Sequence, residues 1–415
     1  MISQQTRIGL HYGYVALALA ALTLLSALGF GRWTYSLILP GMKEGMHLTY
    51  TQMGLLGTGY MVGYMVAVPL AGIAASRYGS RLVMGGSLLI TGLSLLATGA
   101  SPTFEWALLF QTLTGIASTG AIVPSMAVPG TWVAPEKRGI ATGLVNSFLG
   151  LSFFVTGPII PALLASSTDM GWRYSWFLVA AVVLLSGILV AAFLRNYPQD
   201  LGLQVLAFNP KLAPKERPTS TLSWGSVYRS GAIWHLSALY AIFGFAYVSY
   251  MTFFAAFLRE QGGLSETIIG NMWAISGVGV VIGSLVWGSL SDRLGRRASI
   301  AAVFFFLAAA IFALTLSRSP LVYTLSTVLF WAAEPGVPVI VAAACGDYVG
   351  GRLVPAAVGL TTFFMGIGQA IGPILTGRIA DMTSSFDIAF YLTALVALLG
   401  LLGSLFLRQP PRALT

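Results

Sequence analysis

Long apolar stretches alternate with short polar segments along the whole chain. A helix that crosses a membrane needs roughly 20 mostly apolar residues, and stretches of about that length occur twelve times here. They cover residues 11–40, 52–75, 82–100, 104–128, 139–164, 173–194, 231–258, 265–290, 298–317, 320–344, 354–380 and 386–407. The runs are continuous, unlike the alternating segments of about 10 residues that form transmembrane β-barrels. The pattern therefore predicts an all-α membrane protein with twelve transmembrane helices, numbered 1 to 12 in chain order, the first of which is retained rather than cleaved as a signal peptide.

One long polar segment, residues 195–230, divides the twelve stretches into two sets of six. Its four prolines discourage helix because proline lacks a backbone donor; they are Pro198, Pro210, Pro214 and Pro218. We expect an N-terminal six-helix bundle over residues 1–194, a cytoplasmic linker over 195–230 and a C-terminal six-helix bundle over 231–415.

The composition excludes several functional classes. Apolar types make up 56% of the 415 residues and charged types 8%, whereas a soluble globular protein has roughly 25% charged residues. The 48 glycines suit transmembrane helices that pack closely on one another. A single cysteine, Cys345, cannot form an internal disulfide, and no zinc-binding spacing is present. We therefore expect no metal and no cofactor, and we exclude both a large soluble enzyme and a nucleic-acid-binding protein.

The basic residues indicate how the chain is oriented in the membrane. With the N-terminus inside the cell, sixteen of the 22 Lys and Arg residues fall on the inner side, and six fall on the outer side or within the membrane. Cytoplasmic loops normally contain this excess of Lys and Arg. We expect a multi-pass protein of the bacterial inner membrane with both termini in the cytoplasm. A basic cytoplasmic face attracts anionic membrane lipids, which also accounts for the formal net charge of +9.

The two sets of six helices repeat each other in sequence. Residues 29–35 match residues 244–250 at an offset of 215, and after one inserted residue the offset becomes 216. At this second offset Thr49 aligns with Ser265, Gly54 with Gly270, Gly72 with Gly288, Arg77 with Arg293, Gly79 with Gly295 and Arg81 with Arg297. An even number of helices separates the copies, so the halves share one topology. They should be related by a pseudo-twofold axis along the membrane normal, and one half should rock against the other around a central site.

The loop after helix 8 contains the most specific motif. Residues 288–297 read Gly-Ser-Leu-Ser-Asp-Arg-Leu-Gly-Arg-Arg, which resembles the G-x-x-x-D-R-x-G-R-R loop of the major facilitator superfamily. The resemblance covers roughly residues 11–408 and implies a secondary transporter with the major facilitator fold. Within that superfamily the chain looks like an uncharacterised bacterial subgroup with some similarity to monocarboxylate and oxalate/formate transporters.

The same resemblance implies a latch on the cytoplasmic side. In the superfamily, Asp and Arg residues of these loops hold the two halves together in the outward-facing state. In the loop after helix 2, Ser76 stands where an acid is expected, so the first-half latch should be the weaker one. The alternative is that these charges are ordinary cytoplasmic anchors. The candidate latch residues are Arg77, Arg81, Asp292, Arg293, Arg296, Arg297 and Asp347.

Helix 11 resembles the superfamily's antiporter motif, and helix 5 has a degraded copy of it. Gly372 and Pro373 belong to the motif in helix 11, whereas Phe153 occupies a glycine position in helix 5. This departure weakens an assignment as a drug antiporter. The alternative reading of both segments is close helix packing with a proline bend.

Arg32 is the principal candidate for binding a substrate. Inserting an arginine at a helix centre costs about 2.5–3.5 kcal/mol, so Arg32 requires a partner, a water-filled cavity or a function. Gly29 and Gly31 permit close approach beside it. A guanidinium recognises a carboxylate through two parallel hydrogen bonds, and one fixed positive charge in a cavity favours a small organic anion. The alternative is that Arg32 extends to the outer membrane interface.

Glu334 is the candidate for proton coupling. It lies near the middle of helix 10, beside Pro335, Gly336 and Pro338. These residues should break the helix and open a position that lines a cavity. Buried carboxyl groups can take up a proton at neutral pH, so Glu334 would bind and release a proton in each cycle. The alternative is a structural partner for Arg32 or for a backbone donor.

The other candidates follow from the resemblance, in which helices 1, 4, 7 and 10 line the cavity. Tyr247 occupies the position in helix 7 that is equivalent to Arg32. For the polar side chains, the alternative role is hydrogen bonding between helices. The candidate substrate-binding residues are Arg32, Tyr35, Gln111, Tyr247, Tyr250, Asn271 and Gln369.

These observations predict a secondary active transporter rather than an enzyme. It would move a small, monocarboxylate-like organic anion by alternating access, coupled to protons, and would act as a monomer. Its partners would be the anionic substrate, the proton and membrane lipids, with no nucleic acid. Two alternatives stay open. One is proton-driven efflux of amphipathic drugs or metabolites, and the other is a membrane sensor or scaffold that transports nothing.

Overall fold

The computed structural model describes residues 11–134, 137–167, 170–206, 225–349 and 353–408. Within these ranges, twelve helices are long and apolar enough to cross a membrane. They are α1 Tyr12–Met46, α2 Tyr50–Tyr78, α3 Ser80–Ala100, α4 Phe104–Trp132, α5 Arg138–Ser166, α6 Gly171–Phe193, α7 Gly231–Glu260, α8 Glu266–Leu294, α9 Arg296–Leu316, α10 Pro320–Val349, α11 Val354–Thr383 and α12 Phe386–Leu405. The prediction of an all-α protein with twelve transmembrane helices in two halves of six is confirmed.

The linker region begins by packing on the first half. A short 3-10 turn, Pro198–Leu201, follows α6, and the backbone of Leu206 then bonds to Trp132 and Ala134 at the end of α4. A short helix, Gly225–Arg229, precedes α7. The rest of the predicted linker, residues 207–224, lies outside the described residues, so the proposed boundaries at 195 and 230 stay a prediction.

The first helix is interrupted by a wider, π-helical segment that the hydrophobic pattern did not predict. This segment is Leu25–Trp33, and it contains Arg32. Gly29 is required there, because a Cβ on it would lie 2.5 Å from the Cβ of Ser152 on α5. The helix then continues to Met46, with Pro40 in its interior, whereas the sequence placed its end at residue 40. Such π segments appear frequently at functional sites.

Small residues let the two halves approach each other at one end of the bundle. A Cβ added to Gly157 on α5 would lie 2.5 Å from the carbonyl oxygen of Gly270 on α8. On the other side of the molecule, a Cβ on Gly54 of α2 would lie 2.2 Å from the carbonyl oxygen of Pro373 on α11. Backbone contact this close is possible only between glycines or similarly small residues. We call this region, which contains the α1–α2 and α7–α8 connections, the closed end.

Three glycines near the opposite end, which contains both termini of the described chain, have open space beside them. A Cβ added to Gly72, Gly143 or Gly359, near the ends of α2, α5 and α11, would meet no atom within 4 Å. We call this region the open end. The close backbone contacts between the halves, such as those of Gly157 and Gly54, are thus found at the closed end and not at these three glycines.

Candidate functional site

A cavity lies between the halves, on the inner side of the closed end. It contains about 360 Å³ of empty space, a figure that includes its opening to solvent. Side chains from α1, α2, α4, α7 and α11 form its wall. The lining residues are Gly31, Arg32, Tyr35, Gly57, Tyr60, Gln111, Val248, Met251, Thr252 and Pro373.

Arg32 lines this cavity and is itself buried, with 9% of its surface exposed. Its guanidinium carbon lies 4.8 Å from the centre of the Tyr60 ring. An arginine stacked in this way keeps the N–H donors at its planar edge available for an anion. Among the described residues, no Asp or Glu forms an ion pair with Arg32. The cavity therefore contains a buried cation without a protein counterion.

Tyr60 is held against Arg32 by contacts that no local sequence pattern reveals. The Tyr60 hydroxyl and the Ser118 hydroxyl are 2.8 Å apart, and the Tyr64 ring stacks on the Tyr60 ring with centroids 6.5 Å apart. Gly115 on α4 allows α2 to approach, because a Cβ there would lie 2.0 Å from the Tyr60 carbonyl oxygen. Tyr60 was not among the predicted residues, because helix 2 was not expected to line the cavity.

Two further predicted residues line the cavity. Tyr35 contributes its ring, while its hydroxyl donates a hydrogen bond to the Met53 carbonyl oxygen at 2.6 Å. Gln111 is almost fully buried, and its amide Nε2 has no hydrogen-bond partner in the described chain. Of the predicted set, Arg32, Tyr35 and Gln111 are thus brought together.

The four other predicted residues lie off this cavity. Tyr247 is close by, and its hydroxyl accepts a hydrogen bond from Trp33 Nε1 at 3.0 Å. Tyr250 is buried in the second half and stacks on Phe330 with ring centroids 3.7 Å apart. Gln369 is buried on α11 without lining the cavity, and Asn271 is exposed near the start of α8.

A cluster of four aromatic rings packs around Trp33 of α1. It consists of Trp33, Phe153, Trp273 and Trp331, from α1, α5, α8 and α10, and its neighbouring ring centroids lie 4.7–5.8 Å apart. Phe153 is fully buried at its centre. This contact set explains why a large ring replaces the glycine of the antiporter motif in helix 5, since a glycine there would leave a void between the halves.

Glu334 lies at the break in α10, as the neighbouring prolines and glycine predict. The helix ends at Ala333 and resumes at Gly336. Trp287 Nε1 donates to the carbonyl oxygen of Ala332 at 2.8 Å, which satisfies a backbone group next to the break. Interrupted helices with satisfied backbone groups are tolerated within a membrane when they face protein or a cavity.

The Glu334 side chain is buried, with 8% of its surface exposed. In the part of the chain that the structure describes, its carboxylate forms no ion pair and no hydrogen bond, so it does not pair with Arg32. Tyr247 lies within electrostatic range of both Arg32 and Glu334. The two buried charges are thus separate and unpaired in this conformation.

The candidate latch residues lie at the open end, and their contacts stay within one half. Arg296 forms ion pairs with Asp292 and Asp347, each at 2.7 Å. Arg81 Nε donates to the Ala191 carbonyl oxygen at 2.7 Å. The side chains of Arg77, Arg293 and Arg297 are exposed. Because these contacts of the described residues do not join the two halves, a latch between the halves stays a prediction.

Comparisons with known proteins agree with this architecture. A family model described as "Uncharacterised MFS-type transporter YbfB" matches residues 24–405. A hexuronate transporter of Bacillus subtilis is 24% identical over 395 residues, covering 91% of each chain. A protein of Cupriavidus necator named as a probable sulfoacetate transporter is 24% identical over 402 residues, covering 91% of this chain and 89% of that one.

Solved structures agree on the fold. A bacterial homologue of the human lysosomal transporter Spinster, solved in an inward-facing and unoccupied conformation, superposes with a TM-score of 0.75 at 18% identity and covers 98% of each chain. The family model spans most of the chain, and the matching proteins are transporters rather than enzymes. The chain therefore belongs to the major facilitator superfamily, in the family described as uncharacterised MFS-type transporter YbfB.

Proposed function

We propose that this protein is a proton-coupled secondary transporter of a small organic anion, which binds at Arg32. The observation that carries this proposal is the buried Arg32 guanidinium, which lines the cavity without an acidic partner. A buried charge without a counterion is costly. A substrate that supplies the counterion and takes up the N–H donors would offset that cost.

The names of the relatives support an anionic cargo. One relative is named for hexuronate and another for sulfoacetate, and both compounds are small organic anions. A cationic amphipathic drug fits less well, because Arg32 is the only charged residue among those that line the cavity.

Glu334 is proposed as the group that couples transport to protons. It is buried at the break of α10 and faces no permanent partner among the described residues. A carboxyl group of this kind can be neutral in one conformation and charged in another, when its exposure to water changes. The proposed location is the inner membrane, with the open end towards the cytoplasm and the chain acting as a monomer.

Uptake into liposomes would test this function. We expect purified protein to accumulate radiolabelled glucuronate when the outside is more acidic than the inside, and to stop when a protonophore removes the gradient. Ethidium, a cationic amphiphile, should not be moved under either condition. Transport of ethidium without transport of any organic acid would replace this proposal with drug efflux.

A further inference from the structure

Two polar side chains in the cavity have unused hydrogen-bonding capacity. The amide Nε2 of Gln111 on α4 has no hydrogen-bond partner among the described residues, and the side chain is 2% exposed. Rotation about its last side-chain bond exchanges the amide oxygen and nitrogen, so either can face the cavity. Thr252 on α7 lines the cavity from the second half, and its hydroxyl has no partner in the described ranges. Most other buried threonines in the described helices bond to a carbonyl oxygen one turn earlier. Thr327 on α10, for example, donates to the Tyr323 carbonyl oxygen at 2.7 Å.

The charge of the cavity limits the cargo to one negative charge. Among the described residues, Arg32 is the only charged side chain that lines the cavity. A carboxylate or sulfonate would be neutralised by it, whereas the second charge of a phosphate ester would be buried without compensation. The two unpartnered polar groups also require a cargo with hydrogen-bonding groups of its own. An apolar body would exclude water and leave both groups unsatisfied.

From these contacts we propose that the cavity is built for a hydroxylated monoanion. Arg32 would bind the acid group, while Gln111 and Thr252 would bind hydroxyl groups on the rest of the molecule. This proposal deepens, and rests on, the organic-anion function above. Because Thr252 belongs to the second half and the other two residues to the first, a hydroxylated cargo would bridge the halves, which a shorter or apolar acid would not do.

Binding of gluconate and hexanoate to the purified transporter tests this assignment, because the two acids have the same chain length and differ in their hydroxyl groups. We expect wild-type protein to bind gluconate about tenfold or more tightly than hexanoate, since unpaired polar groups penalise the analogue that lacks hydroxyls. Thr252→Val should weaken gluconate binding about tenfold and strengthen hexanoate binding, because it removes a hydroxyl that hexanoate leaves unpaired. Thr252→Ser, which keeps the hydroxyl, should behave like wild type.

The outcomes separate this proposal from the function on which it rests. Equal binding of both acids, lost in both cases with Arg32→Gln, would overturn the hydroxyl assignment and leave the organic-anion function standing. Tighter binding of glycerol 3-phosphate than of gluconate would overturn the monoanion assignment. Failure of every acid to bind wild-type protein would count against the organic-anion function itself.

A separate observation concerns the closed end, where two ion pairs join the halves reciprocally. Lys43 Nζ lies 3.1 Å from Glu260, and Arg259 lies 2.9 Å from Glu44. Lys43 and Glu44 precede Arg259 and Glu260 by 216 residues, which is the offset of the internal repeat. Each half thus contributes the same basic–acidic dipeptide, and each cation meets the other half's acid, as in the interface of a twofold symmetric dimer.

Asp381 adds a contact that has no counterpart in the other half. Its carboxylate, at the end of α11, accepts hydrogen bonds from the backbone N–H groups of Tyr50 at 2.8 Å and Thr51 at 2.7 Å. These are the first two residues of α2, whose N–H groups have no partner within their own helix. At the repeat offsets of 215 and 216 the first half has Ser166 and Ala165 instead of an acid. The α2 terminus is therefore capped by the opposite half.

We infer that these residues form a clamp that must break before the cavity can open at the closed end. The clamp consists of Lys43, Glu44, Arg259, Glu260 and Asp381. Its cation–acid pairs are partly exposed, and exposed pairs are individually weak. Weak pairs can hold the end shut and still release it in each transport cycle.

Cysteine labelling from the closed side tests the clamp without knowledge of the cargo. Met251→Cys, which lines the cavity, would report access to a membrane-impermeant maleimide in a Cys345→Ala background. Lys43→Glu should speed labelling about fivefold or more, because repulsion replaces an attraction. The charge swap Lys43→Glu with Glu260→Lys should restore slow labelling.

The matched control is Arg318→Glu. Arg318 pairs with Asp387 at 2.6 Å within the second half, near the same end of the molecule, so its loss should leave labelling unchanged. Unchanged labelling in Lys43→Glu would overturn the clamp. A swap variant as fast as the single variant would also overturn it.

Discussion

Replacing Arg32 with glutamine is expected to abolish binding and uptake of the organic anion while the folded protein still reaches the membrane. Charge-assisted hydrogen bonds contribute roughly 1.5–3 kcal/mol each, so loss of a two-bond contact should weaken binding by at least about 100-fold. Uptake and equilibrium binding of the same labelled acid would measure this. Because Arg32 has no acidic partner in the described chain, the empty Arg32→Gln protein should be at least as stable to heat as wild type.

Two controls sharpen this prediction. Arg32→Lys keeps the charge but loses the planar pair of donors, so it should bind the acid with intermediate affinity. Arg173→Gln changes an arginine that bonds to the Gly99 and Ser101 carbonyl oxygens, far from the cavity, and should retain binding. Undiminished uptake by Arg32→Gln would show that the cargo binds elsewhere.

Replacing Glu334 with glutamine is expected to separate transport from the proton gradient. Glutamine keeps the size and hydrogen-bonding capacity of a protonated glutamate but cannot release a proton. Wild-type uptake should rise as the outside is acidified, because protonation of Glu334 on that side would precede inward movement. Glu334→Gln should exchange labelled for unlabelled acid at any pH, show no accumulation above equilibrium and move no protons with the cargo.

A pH-sensitive dye inside liposomes measures this proton movement directly. Glu105→Gln is a suitable control, since Glu105 lies in the first turn of α4, away from the cavity, and it should retain cargo-dependent proton uptake. If Glu334→Gln still acidified the liposomes on addition of cargo, another group would have to be the proton carrier.

Local features of the chain were enough to predict the fold class and several candidate site residues. Hydrophobic length is a local property, so the twelve spans could be counted without knowing how they pack. The Asp-Arg-Gly-Arg-Arg loop and the internal repeat identified the superfamily, and the high cost of a buried charge drew attention to Arg32 and Glu334. Even the break at Glu334 followed from local chemistry, because Pro335 and Pro338 lack backbone donors.

The surroundings of these residues depend on how the helices pack, which the local pattern did not reveal. Tyr60 and Thr252 line the cavity because Gly115 and other small residues bring their helices close, and the sequence lacked any signal for that contact. Tyr250 resembled a lining residue by helix position but packs on Phe330. The rotation of a helix about its own axis cannot be inferred from hydrophobicity when nearly every face is apolar. The pairing of Lys43 with Glu260 likewise depends on residues 217 positions apart. The hydrophobic pattern is a local property of each segment of the chain. Contacts between helices distant in sequence depend instead on how all of the helices pack together.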